Sequence, residues 1–107
     1  MKSLAPFNDE LIATIGATNN IRLLTTYILE GVDLRAYNNL LIRTAAHCCS
    51  FAVITYLRSY GFTKDDLLVE NSEPLLSVAH QGDVALFSYL MSWDLTLDDL
   101  RRNHNAI

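Results

Sequence analysis

Cysteine, proline and glycine are scarce in this chain, at two, two and four residues in 107. The only cysteines are the neighbours Cys48 and Cys49. A bridge between adjacent cysteines strains the peptide that joins them, and one such pair builds no disulfide framework. A reduced, intracellular and cytoplasmic setting is the expectation. Basic runs are missing too: no three Lys or Arg are consecutive, and 8 basic residues face 12 acidic ones, for a net charge of −4. Nucleic acid bound through phosphates wants a basic stripe, so a nucleic-acid partner is not expected. An anionic membrane surface makes the same demand, and no membrane partner is expected.

Long apolar runs are absent as well. No window reaches the ~18 consecutive apolar residues of a membrane span. Met1–Asn8 holds one Lys and lacks an apolar block of roughly 7–15 residues, so a secretory signal is not expected. No glycine-rich phosphate loop or nucleophile elbow positions the Ser, His and Asp side chains. The chain is therefore expected to be no enzyme and to carry no cofactor.

What the chain does hold is apolar content, at 50% of residues, arranged periodically. The stretch Leu40–Gly61, LLIRTAAHCCSFAVITYLRSYG, contains two short apolar-periodic segments separated at Cys49–Ser50. Shifted forward so that position 41 falls on 74 and 67 on 100, the sequence repeats itself. The identical pairs are Ala46/Ala79, His47/His80, Ala52/Ala85, Tyr56/Tyr89, Leu57/Leu90, Ser59/Ser92, Thr63/Thr96, Asp65/Asp98, Asp66/Asp99 and Leu67/Leu100. A fixed period of this length marks a stacked repeat array.

A weaker copy precedes it. Pro6, Asn8 and Asp9 carry helix-start chemistry, and Leu11, Ile12 and Ile15 recur at helical spacing. Thr18–Asn19–Asn20 breaks the pattern, with Asn suited to a left-handed turn, and Gly31 closes a second apolar set. A slightly shorter shift, carrying position 11 onto 41 and 31 onto 61, maps this unit onto the second. The polar connectors Val32–Asn39 and Phe62–Glu73 are expected to be loops or hairpin-like turns. The expected organisation is one domain, 1–107, with units at about 8–36, 37–69 and 70–102 and the start of a fourth at 103–107. The fold class predicted is all-α.

Two helices per repeat with a projecting connector resemble the ankyrin repeat. The match is carried by Leu41, Ile42, Ala45, Ala46, Phe51, Val53, Ile54, Leu57 and Gly61 in the second unit. Pro74, Leu75, Ala79, Gly82, Val84, Leu86, Phe87, Leu90 and Met91 carry it in the third, and Leu11, Ile12, Ile21, Leu23, Leu24, Tyr27, Ile28, Gly31 and Asp33 in the first. The connector Asp33-Leu34-Arg35-Ala36-x-Asn38 followed by Leu41-Ile42-Arg43 is similar to arrays of large DNA viruses and intracellular bacteria, which would put the chain in a host cytoplasm. The sequence departs from the family at the Thr-Pro-Leu-His tetrad, absent from every unit, and at Cys49, which replaces the turn glycine.

The resemblance implies an α-solenoid that binds another protein through connector tips and exposed first-helix faces. Carried onto this chain, the partner-binding positions are Arg35, Tyr37, Asn38, Lys64, Asp65 and Glu70 on connectors, and Arg43, His47, Leu76 and His80 on first helices. The alternative is a structural or self-associating segment of a longer array, paired through its open C-terminal end. A small metal- or thiol-dependent enzyme is a distant third reading. His47, Cys48 and His80 suggest a metal, but zinc wants three or four converging ligands and adjacent helical residues diverge. Asp65–Asp66 and Asp98–Asp99 read as helix-start chemistry before they read as calcium ligands. Tyr60 and Trp93, at equivalent positions, read as outer packing before they read as partner anchors.

Overall fold

The computed structural model describes residues 5–96, 98 and 99. Among them it is all-helical, with α1 (Asp9–Thr18), α2 (Ile21–Leu29), α3 (Ala36–His47), α4 (Phe51–Ser59), α5 (Lys64–Leu67), α6 (Val69–Gln81) and α7 (Val84–Met91). The expected start of a fourth unit, 103–107, lies outside the described residues. No helix is long and apolar enough to cross a membrane among the described residues.

Three hairpins, α1–α2, α3–α4 and α6–α7, share one turn design. The first helix ends on a left-handed residue and the next residue starts the second helix. The left-handed position is Asn19, Cys49 or Gly82, with φ of 57°, 53° and 77°. Glycine takes this conformation freely, Asn tolerates it, and Cys49 holds a Cβ there at a cost. Asn20 and Asp83 cap their helices by accepting from the amides of Leu23 and Leu86. Ser50 does not cap α4; its hydroxyl donates to the Gly16 carbonyl instead. Asn19 Oδ1, reaching from the preceding hairpin, accepts the Val53 amide at 2.9 Å and supplies the missing cap.

The connectors differ from the expected loops or hairpin-like turns. Each contains a left-handed helical turn, made by Tyr37, Asn38 and Asn39 in one and by Glu70, Asn71 and Ser72 in the other. The repeat shift that carries 41 onto 74 also carries 37 onto 70, so the feature belongs to the repeat. The right-handed parts of α3 and α6 begin after these turns, which puts Pro74 in the first turn, where its missing N–H costs nothing. The second connector is longer and holds α5, opened by a capping box between Thr63 and Asp66.

First helices lie side by side, α1 against α3 and α3 against α6, while α2 packs on α4 in a second layer. The molecule measures 51 × 24 × 21 Å, elongated along the line of hairpins. Ile12, Ile15, Leu24, Leu41, Ile42, Val53, Ile54, Leu57, Leu75, Leu86 and Leu90 fill the space between layers and are buried. Ala45 and Ala46 are fully buried, as close first-helix packing requires. Gly16 sits even closer: a Cβ there would lie 2.9 Å from Thr44 Cβ and 3.0 Å from the Ala45 nitrogen. Ala79, the counterpart of Ala46, is exposed because α6 ends the row of first helices among the described residues.

Candidate functional site

The repeat brings the first-helix positions onto one face. His47 near the end of α3 and His80 near the end of α6 stand at equivalent places, both exposed. Between them runs a groove of about 520 Å³, lined by His47, Glu70, Asn71, Glu73, Leu76, Ser77, His80 and Gln81. A smaller hollow of about 290 Å³, lined by Arg43, Thr44, His47 and Glu73, adjoins it. Four expected positions, His47, Glu70, Leu76 and His80, therefore meet in the main groove, and Arg43 flanks it. Leu76 is the groove's large apolar side chain and remains 46% exposed. Between α1 and α3, in contrast, Gly16 lets the two helices close on each other.

The remaining expected positions are held by contacts within the chain to different degrees. Arg35 forks onto Asp66, with Nε to Oδ1 at 2.7 Å and Nη2 to Oδ2 at 3.0 Å. The same guanidinium donates to the Gly61 carbonyl and lies 4.2 Å from the Phe62 ring centroid. Lys64 donates to Asp99 at 3.0 Å. Arg43 donates through Nε to the Asn38 carbonyl at 2.9 Å and through Nη2 to the Tyr37 carbonyl at 3.1 Å, and its Nη1 is 3.6 Å from Glu73. It thus holds the left-handed turn shut. Asn38 donates its side-chain amide to Glu70, joining the two left-handed turns across neighbouring units. Tyr37, 53% exposed, and Asp65, exposed, project from the connector tips.

Asp66 is a hub that the sequence alone does not single out. Besides Arg35 it accepts from the Asn39 side chain at 3.0 Å and the Thr63 amide at 2.9 Å, and only 5% of it is exposed. Burial by itself would raise its carboxyl, but the Arg35, Thr63 and Asn39 hydrogen bonds and the Arg35 charge hold it below the ordinary carboxylate value. Asp99 repeats the theme: Lys64, then the Thr96 amide and hydroxyl, lower its carboxyl to about 2 against the opposing effect of burial. Both are helix-start residues, as their spacing after Thr63 and Thr96 suggests. The readable signal for the hub is the pairing of Asp66 with a lone Arg one repeat earlier.

The cysteines offer little chemistry. Cys48 is exposed and Cys49 half-buried, both as free thiols. Burial pushes the Cys49 thiol up, and the neighbouring Asp83 carboxylate pushes it further, which disfavours the nucleophilic thiolate. Among the described residues no group of three or more His, Cys, Asp and Glu side chains is placed to hold a metal ion. Tyr60 and Trp93 have parted company: Tyr60 is 48% exposed, whereas Trp93 is buried against Tyr89 and the Arg58 guanidinium.

No protein-family model matches the chain, nor does any curated protein or solved structure.

Proposed function

We propose that this chain is a non-catalytic protein-binding module, an ankyrin-like α-solenoid that takes a partner protein on the face formed by α3, α6 and the connector tips. The observation that carries the reading is the convergence of His47, Glu70, Leu76 and His80 on one open groove. His47, Leu76 and His80, unlike Arg35 or Arg43, are not spent on bracing the connectors, and Glu70 meets only the neutral Asn38 amide. An intracellular location, in a host cytoplasm if the viral or bacterial likeness holds, agrees with its free cysteines.

The test uses the double variant Leu76→Asp with His80→Asp, both on exposed positions. Immobilised wild-type chain should capture a partner from cell extract, and the variant should lose it with helical circular dichroism unchanged. Equal capture by the variant removes the groove from the function.

A second reading, a structural segment that pairs with further units or with itself, draws on a different surface. Ala79 is exposed where Ala46 is buried, Val84 is 75% exposed, and a shallow hollow between Val78, Gly82 and Phe87 continues that face. Self-association would appear as a mass that rises with concentration in sedimentation, reversed by Val84→Asp.

A further inference from the structure

The partner's chemistry can be read from how charge is spent around the groove, an inference that rests on the protein-binding reading above. Three cations belong to the connectors and first helices among the described residues, and each is engaged internally. Arg35 is forked onto Asp66, Lys64 is bonded to Asp99, and Arg43 caps two carbonyls beside Glu73. The carboxylates are in surplus. Glu70 and Glu73 line the groove itself, Glu70 meeting the neutral Asn38 amide, and Asp65 is exposed on the same connector. No Lys or Arg lines the main groove among the described residues. Its size falls within the roughly 300–1,000 Å³ typical of ligand-sized sites. Leu76 gives it an exposed aliphatic side chain, and His47 and His80 line it as well.

We infer that the groove between α3 and α6 takes a peptide segment of a partner protein in which an aliphatic side chain is flanked by Arg or Lys. The aliphatic group covers Leu76, and the cation sits by Glu70 at the connector end. An acidic segment meets uncompensated like charge there, which is how a charged surface rejects wrong partners. Arg43 offsets Glu73 while holding the first connector, which leaves Glu70 as the groove carboxylate with no cation beside it among the described residues.

The test is fluorescence polarisation with three short labelled peptides on one neutral scaffold, with a central leucine flanked by arginine, glutamine or glutamate. The arginine peptide should bind wild-type chain about tenfold more tightly than the glutamine peptide, weakening as salt is raised. The glutamate peptide should bind weakest. Glu70→Gln, which can keep the bond from Asn38, should cut the arginine preference about fivefold, and Glu70→Lys should turn it toward glutamate. Leu76→Ser should weaken the arginine and glutamine peptides alike without altering their ratio. Equal binding of the three peptides, no binding of any, or an unchanged ranking in Glu70→Lys overturns the inference. If the peptides rank alike while Leu76→Asp with His80→Asp still abolishes partner capture, the cationic chemistry is wrong and the protein-binding reading stands. If that double variant captures normally, the reading itself falls.

Discussion

The two seams between first helices are built from the same repeat and differ at their edges. Between α1 and α3 the backbones meet closely at Gly16, with no room for a methyl group beside Thr44. Between α3 and α6 the corresponding seam opens outward into a groove. Position 16 maps onto 46 and 79, where alanine replaces glycine, so the later helices carry a Cβ where α1 has none. Ala46 is nonetheless fully buried, so the α3–α6 seam is closed at this depth and the groove opens only at its edge, where His47 meets Leu76, Ser77 and His80. The closed seam gains packing, and the open one leaves Leu76 and two imidazoles facing solvent. In a stack whose units otherwise copy one another, such a break in likeness is where a binding surface can arise.

The largest effect expected from disturbing this arrangement is at the lock beside the open seam. Asp66→Ala removes a buried carboxylate that is the partner of the Arg35 charge, the buried Asn39 amide and the Thr63 amide. Losing one partner of a buried, hydrogen-bonded ion pair costs about 3–5 kcal/mol. Arg35 is 47% exposed at its side chain, so the lower end, about 3 kcal/mol, is expected from urea unfolding. The closed seam should be less sensitive. Gly16→Ala gains about 1 kcal/mol of helix propensity but must move the Ala45 backbone, and overpacking of that kind costs about 1–3 kcal/mol. A net loss of up to about 2 kcal/mol follows, again read as an unfolding midpoint.

Acid should act through the connectors of both later units. Asp66 and Asp99 are both held below the unfolded carboxylate value of about 3.9, the latter at about 2. Their stabilisation is therefore complete above pH about 4 and is lost as pH falls toward about 2, because the unfolded chain then binds protons that the native one resists. Stability measured between these limits should fall with pH, and Asp66→Ala should flatten part of the slope. The smallest effect is expected at the turns. Cys49→Gly relieves a left-handed residue and reproduces Gly82, so thermal unfolding should show a gain of about 0.5–1 kcal/mol. No gain would mean that the half-buried thiol contributes as much as the backbone strain removes.

Much of this is legible in the sequence because it repeats. The period that carries 41 onto 74 fixes helical hairpins, places Leu57 and Leu90 in equivalent buried positions, and puts His47 and His80 on a common face. The left-handed turns at 37–39 and 70–72 are not legible in the same way. Asn38–Asn39 and Asn71 hint at them, but Tyr37, Glu70 and Ser72 have no special ease in that conformation, and tertiary bonds such as those of Arg43 hold it. Arg43 and Arg35 read as recognition residues because an arginine on a connector looks the same whether its donors face a partner or the chain's own acceptors. The Asn19 cap on α4 is equally hidden, since a cap supplied from another hairpin leaves no local pattern around Ser50. Long-range polar bonds are what periodicity cannot show.

The proposed binding on the α3–α6 face is tested most directly by hydrogen–deuterium exchange on the chain with a captured protein. Protection is expected in the second half of α3, around 43–47, and along α6, around 73–81, with α2 and α4 unchanged. Protection confined to α2, α4 and α7, with the α3–α6 groove exchanging as in the free chain, would contradict it.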